Sequence, residues 1–151
     1  MDLSDEVIIE APRDAVYAAL NDPEILKACI PGCEELIQHA DDHFDAKVVL
    51  KVGPVKARFS GTVRLDKAGG PEHFTLTGEG NGGTAGFAKG GADVTLAEDS
   101  PGTTTLTYTA HVDIGGKLAQ LGSRLVQSTA KKLSAKFFTS FAQTFEPEKA
   151  A

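Results

Sequence analysis

Residues 104–145 read TTLTYTAHVDIGGKLAQLGSRLVQSTAKKLSAKFFTSFAQTF, and the spacing of their apolar side chains changes at Gly115-Gly116. Before the glycine pair, apolar and polar residues alternate, which is typical of a β-strand with one buried face. After it, apolar residues recur at helical spacing. The two sets are Leu106, Tyr108, Ala110, Val112 and Ile114, then Leu118, Leu121, Leu125, Thr129, Leu133, Phe137, Phe141 and Phe145. The pattern predicts a strand followed by one long amphipathic helix of about 28 residues.

Upstream of this region the chain is mostly strand. Residues 44–52 and 55–65 alternate in the same way on either side of a Gly53-Pro54 turn, so they predict a hairpin. Further strands are predicted at residues 3–10, 34–39, 73–80 and 92–97. Two short helices are expected after the first strand, starting near Pro12 and Pro23, because proline suits the first turn of a helix.

These elements predict an α+β fold. A seven-stranded antiparallel sheet and a single long helix must bury their apolar faces against each other, so the sheet has to curve around the helix. No linker or repeat interrupts the pattern. We therefore expect one domain over residues 1–146, followed by a short tail over residues 147–151.

Composition excludes several classes of protein. The chain has 151 residues, a formal net charge of −6 and a pI near 5.1, which argues against general nucleic-acid binding. It contains no apolar run long enough to span a bilayer, and its acidic start does not resemble a signal peptide, so we expect a cytoplasmic protein. Cys29 and Cys33 have a C-x3-C spacing that fits neither a redox nor a zinc motif. We interpret them as structural or inert, and the sequence leaves open whether they bond.

Motifs that suggest catalysis lack their companions. Residues 78–83 match G-x-G-x-x-G, but a glycine-rich, non-helical stretch follows, so we interpret residues 78–91 as a mobile hairpin loop beside a cavity mouth. Ser128 and Lys131 form an isolated S-x-x-K, without the partner motifs of serine acyl enzymes. The four histidines show no metal-binding spacing. We therefore expect no catalytic residue, no metal and no cofactor.

Four blocks of sequence carry a resemblance. They read IPGCE at 30–34, KVGPVKARFSG at 51–61, GFAKG at 86–90 and GGKLAQLGSRL at 115–125. In this order they resemble the family of the CoxG subunit of carbon monoxide dehydrogenase. The order of strands and helices is likewise similar to the helix-grip fold of the START and Bet v 1 (SRPBCC) superfamily.

The resemblance implies a non-catalytic accessory protein. CoxG-like proteins are associated with molybdenum-containing, CO dehydrogenase-type enzymes and their placement at the membrane. The superfamily holds lipophilic ligands, such as lipids or quinones, between sheet and helix. Many CoxG-like chains end in an apolar anchor, which has no counterpart at residues 146–151 here. We therefore expect at most peripheral contact with the inner face of the cell membrane.

A cavity of this kind is expected to be lined by apolar and aromatic side chains that the predicted periods turn inward. The candidate ligand-binding residues are Leu26, Phe59, Phe74, Phe87, Leu106, Tyr108, Leu121 and Leu125. The alternative is a cyclase- or hydrolase-like enzyme on the same fold, since fold alone fixes no function. An enzyme would need an ionisable group in the cavity, and Tyr108 is the one obvious polar side chain on the inward faces.

The predicted long helix is basic in an acidic protein. No acidic residue occurs between Lys117 and Phe145. The candidate partner surface consists of Arg124, Lys131, Lys132 and Lys136. It could contact an acidic partner or anionic lipid headgroups, and a further alternative function is therefore an adaptor that acts through this basic helix. The alternative is a solvated helix face whose cations suit the helix dipole.

Overall fold

The computed structural model describes residues 1–146, and the predicted tail lies outside the described residues. Seven antiparallel strands form one sheet in the order β1-β7-β6-β5-β4-β3-β2. The strands are β1 (Asp2–Ile9), β2 (Cys33–Ala40), β3 (His43–Val52), β4 (Val55–Asp66), β5 (His73–Asn81), β6 (Phe87–Ser100) and β7 (Thr103–Gly115). The predicted seven-stranded antiparallel sheet is confirmed.

Four α-helices lie within the same described residues. They are α1 (Arg13–Leu20), α2 (Pro23–Cys29), α3 (Lys117–Gln120) and α4 (Ser123–Gln143). Pro23 begins α2 and the Asp22 carboxylate accepts from the Glu24 N–H at 2.9 Å, as expected for a capped start.

The prediction of one uninterrupted helix from residue 117 onwards is wrong. The chain breaks between α3 and α4 at Gly122, whose φ is +93°, a left-handed conformation that glycine adopts without a Cβ clash. Leu121 and Leu125 therefore do not share one helical stripe. Leu121 packs with the cluster around Leu118, whereas Leu125 is 36% exposed and lies against the turn at Gly53.

The glycine-rich segment is also different from its prediction as a loop. Residues 78–81 belong to β5 and residues 87–91 to β6, with Gly78 paired to Gly90 and Gly80 paired to Ala88. Only residues 82–86 form the turn, which includes a short 3-10 helix at Gly83–Ala85. Pairing on both sides, with β4 and β7, holds these glycines extended despite their weak strand preference.

The core consists of two clusters at opposite ends of the inner face. The larger, here called the aromatic end, contains Phe74, Leu96, Leu106 and Phe141, with Phe137, Phe138 and Phe145 packed against them. The smaller, here called the turn end, contains Val52, Phe59, Ala85 and Leu118. Leu118 belongs to the turn end and Phe137 to the aromatic end, so the intervening part of α4 crosses the sheet between two packed regions.

Candidate ligand-binding cavity

A cavity of about 510 Å³ lies between this middle part of α4 and the sheet. From the helical side it is lined by Leu118, Val126, Thr129, Ala130 and Leu133. Leu118 belongs to α3, and the other four side chains recur on the face of α4 that is turned to the sheet, because residues three and four apart share a helix face. Thr129 supplies the one hydroxyl on that face among the described lining residues.

The floor of the cavity consists of glycine and alanine residues, which have little or no side chain. Ala46, Gly61, Gly80 and Ala88 are neighbours in register across β3, β4, β5 and β6. A second row places Gly78 beside Gly90. Because both rows lie at inward positions of the sheet, they leave a hollow that larger residues would fill. A Cβ added at Gly80 would meet nothing within 4 Å.

Larger apolar side chains surround this floor. They are Val48, Leu50, Val52, Phe59, Val63, Leu76, Val112 and Ile114. Thr62, Glu79 and Lys89 also border the cavity, but they alternate with the inward residues, so their side chains point to the outer face. The part of the cavity that the structure describes therefore presents an apolar surface without an inward ionisable side chain.

The structure distributes the eight sequence-predicted ligand residues over several places. Phe59 lines the cavity. Phe74 and Leu106 belong to the aromatic end, where Tyr108 stacks on Phe138 with 5.4 Å between ring centroids. The remaining four are Leu26, half-buried on α2, Leu121 at the turn end, and the exposed residues Leu125 and Phe87. Ligand contact by any of the eight stays a prediction.

Sequence reasoning missed the residues that create the space. It selected large apolar side chains, and most of these pack against one another and fill their own volume. The available signal was the run of glycine and alanine at alternate, inward positions of successive strands: Ala46, Gly61, Gly78, Gly80, Ala88, Gly90, Ala92 and Ala110.

Two of the four histidines, His39 and His111, hydrogen-bond to carboxylates at exposed positions. His39 Nε2 lies 2.6 Å from Asp45 Oδ2. His111 lies on the outer face, where Nδ1 is 2.8 Å from Asp2 Oδ1 and Nε2 is 3.1 Å from Asp113 Oδ1. The hydrogen bond that the Asp2 carboxylate accepts from His111, followed by the one that Asp113 accepts, raises the pKa of His111. Within residues 1–146, no group of three or more His, Cys, Asp or Glu side chains is arranged to hold a metal ion.

The two cysteines are free thiols in the structure. Cys29 is buried and its Sγ lies 4.0 Å from the Thr144 hydroxyl. Cys33 donates to the Glu35 carbonyl at 3.4 Å. Burial raises the pKa of both thiols, which lowers their reactivity as nucleophiles at neutral pH.

The basic side chains of α4 are exposed. Arg124, Lys131, Lys132 and Lys136, together called the basic face, take part in none of the ion pairs among the described residues. None of the helices in the described part of the chain is long and apolar enough to cross a membrane.

Solved structures share this architecture. A conserved protein from Geobacillus kaustophilus has a TM-score of 0.88 at 28% identity, covering 95% of this chain and 94% of its own. A START superfamily protein from Mycobacterium smegmatis has a TM-score of 0.71 at 12% identity, with 95% of each chain covered. The aromatase/cyclase Zhui from Streptomyces has a TM-score of 0.70 at 10% identity, covering 95% and 92%. These likenesses confirm the helix-grip fold.

Sequence similarity gives the family. The chain has no significant match among curated proteins. Its residues 6–145 match the family described as the CoxG subunit of carbon monoxide dehydrogenase, which covers nearly the whole of the described chain. This match shows that the chain belongs to the CoxG family.

Proposed function

We propose that this protein is a non-catalytic accessory factor that binds a lipophilic molecule, of lipid or quinone type, in the cavity beneath α4. Its partner on this proposal is a molybdenum-containing, CO dehydrogenase-type enzyme, in keeping with the family name. The observation that carries the proposal is the apolar cavity of about 510 Å³ whose floor consists of glycine and alanine.

Physical chemistry supports a ligand in this space. Pockets for small molecules fall at roughly 300–1,000 Å³ and are lined mainly by apolar groups. An apolar cavity left empty costs stability, because its lining loses dispersion contacts. A lipophilic ligand would restore those contacts and remove its own apolar surface from water.

The alternative is an enzyme, since the similar structures include an aromatase/cyclase. General acid–base catalysis requires a titratable group within hydrogen-bond reach of the reacting atoms. The side chains of the described lining offer the inward Thr129 hydroxyl and no inward carboxylate, imidazole or ammonium group. The Met1 ammonium group also borders the cavity, but it donates a hydrogen bond to the Val112 carbonyl at 2.9 Å. This favours binding over catalysis.

The test of the cavity is Gly80→Leu, with Thr77→Leu as its control. Both residues lie on β5, but position 80 faces the cavity whereas position 77 faces outward. Binding of the neutral apolar dye N-phenylnaphthylamine should weaken about tenfold or more in Gly80→Leu and stay unchanged in the control. Equal dye binding by both variants and the parent would place the ligand elsewhere.

We further propose that the basic face docks on an acidic surface of the partner enzyme, in the cytoplasm beside the inner face of the cell membrane. Opposite charges speed and orient such association, and salt screens it. Lys131→Glu/Lys132→Glu/Lys136→Glu should abolish co-purification with the enzyme while preserving dye binding. Retained co-purification would make the basic face a solvated surface, and binding to anionic vesicles instead of the enzyme would make it a peripheral membrane contact.

A further inference from the structure

A second concave site lies between the end of α2 and the C-terminal half of α4. This α2–α4 cleft has a volume of about 600 Å³ and differs chemically from the apolar cavity. It is lined by residues 27–33 and by Ala135, Lys136, Thr139 and Ser140.

The cleft is cationic in an acidic protein. Lys27 from α2 and Lys136 from α4 both line it, and no aspartate or glutamate occurs among its described lining residues. Neither lysine is part of an ion pair within residues 1–146. The acidic residues that follow it in sequence are already paired, Glu34 with Arg58 and Glu35 with Lys47.

The surrounding groups suit an anion that accepts several hydrogen bonds. The hydroxyls of Thr139 and Ser140 line the cleft, and neither has a side-chain hydrogen bond in the described structure. The positive charge of Lys27 acts on Cys33 inside the cleft, where it partly offsets the rise in pKa that burial gives that thiol. Lys27 lines the cleft together with Cys33. Phosphate oxygens are well matched to two ammonium groups and two hydroxyls.

The cleft and the apolar cavity share a wall. Ile30 and Pro31 line both of them. This short segment is held by hydrogen bonds at its two ends, from the Ile30 N–H to the Leu26 carbonyl at 2.9 Å and from the Val49 N–H to the Gly32 carbonyl at 2.9 Å. One dipeptide therefore borders both the cationic cleft and the apolar cavity.

We propose that the α2–α4 cleft binds the phosphate head of an anionic amphiphile whose apolar chain passes Ile30 and Pro31 into the cavity. The inference rests on the proposed function of the cavity and names its ligand more closely, as a molecule with one anionic end and one apolar end. A neutral lipophile would use the cavity alone and make no contact with the two lysines.

Three probes distinguish the parts of this ligand. Oleoyl lysophosphatidic acid, below its micellar concentration, carries both parts, while monoolein carries the same chain on a neutral head. Inorganic phosphate carries the anion alone. Calorimetry should show lysophosphatidic acid binding about tenfold or more tightly than monoolein, because charge-assisted hydrogen bonds add to the burial of the chain. Inorganic phosphate should bind far more weakly than either lipid.

The variants are matched in charge. Lys27→Glu/Lys136→Glu alters the cleft, whereas Lys131→Glu/Lys132→Glu makes the same change in charge on the basic face outside it. The cleft variant should remove the advantage of lysophosphatidic acid over monoolein, and the control should retain it. Lys27→Gln/Lys136→Gln should reduce the advantage without introducing repulsion.

The outcomes separate this inference from the proposed function. If monoolein binds and Gly80→Leu weakens it, but both lipids bind equally well to the parent, the cleft proposal is wrong and the cavity function stands. An equal loss in the control pair would also overturn it, because only overall charge would then matter. Inorganic phosphate binding as tightly as the lipid would reduce the cleft to a free-anion site. If neither lipid binds, the cleft proposal is wrong, and the dye test with Gly80→Leu then decides the cavity function.

Discussion

The two halves of α4 face the same sheet, but one half is tightly packed against it and the other borders a cavity. At the aromatic end, Phe141 is fully buried, with ring centroids 5.7 Å from Phe137 and 5.3 Å from Phe145. In the other half, Thr129, Ala130 and Leu133 stand over a floor of glycine and alanine and leave about 510 Å³ unfilled. The difference lies in side-chain volume on both surfaces. The aromatic end stabilises the fold, which allows the cavity beneath the other half of α4 to stay hollow.

The largest expected effect is the loss of stability when the aromatic end is opened. Phe141→Ala should lower the free energy of unfolding by about 3–5 kcal/mol, because it leaves a cavity among rings that now touch. Leu133→Ala should cost less than half as much, since Leu133 already borders an empty space. Urea unfolding of both variants checks this, and equal losses would mean that the cavity is not open in solution.

The second prediction compares two glycines of the cavity floor. A Cβ at Gly90 would come within 2.2 Å of the His111 carbonyl oxygen, whereas a Cβ at Gly80 meets nothing within 4 Å. Gly90→Ala should therefore destabilise the protein by about 1–3 kcal/mol through overpacking. Gly80→Ala should stabilise it by about 0.4–1 kcal/mol, because alanine lowers the entropy of the unfolded chain. Thermal unfolding measures both, and a destabilised Gly80→Ala variant would contradict the space that we assign there.

The aromatic end and the cavity also show how much of the structure could be predicted from the sequence. Alternation in residues 44–65 and 104–114, and the change of period after Gly115-Gly116, predicted the sheet and the helix because buried faces dictate those periods. A cavity between sheet and helix was expected, but its floor of glycine and alanine was not predicted, because it consists of volume that no side chain occupies. The break at Gly122 was hidden as well, since Leu118, Leu121 and Leu125 keep helical spacing across it.

Tyr108 provides a third test, with a smaller expected effect, of the boundary between the aromatic end and the cavity. Its place on an inward face of the sequence pattern predicts a ligand contact, but its ring stacks on Phe138 and it does not line the cavity. Tyr108→Phe keeps the stacking, so we expect a stability change within about 1 kcal/mol and unchanged dye binding. If dye binding falls severalfold without loss of stability, the cavity extends to Tyr108 and the aromatic end is less solid than the structure indicates.

The smallest effect on stability is expected away from the aromatic end and the cavity, at the exposed Asp2–His111 pair that joins β1 to β7. The Asp2 hydrogen bond raises the pKa of His111 above its ordinary value of 6.5, and His111 lowers the pKa of Asp2 below 3.8. The contribution of His111 to stability is present below about pH 6.5 and disappears as pH rises through its raised pKa. That of Asp2 is present above about pH 3.8 and is lost as pH falls through its lowered pKa. The link between the strands is thus strongest between these limits.

In an NMR titration Asp2→Asn should lower the pKa of His111, while Asp5→Asn, on the same strand, should leave it unchanged. An unchanged pKa in Asp2→Asn would show that the hydrogen bond between Asp2 and His111 does not persist in solution.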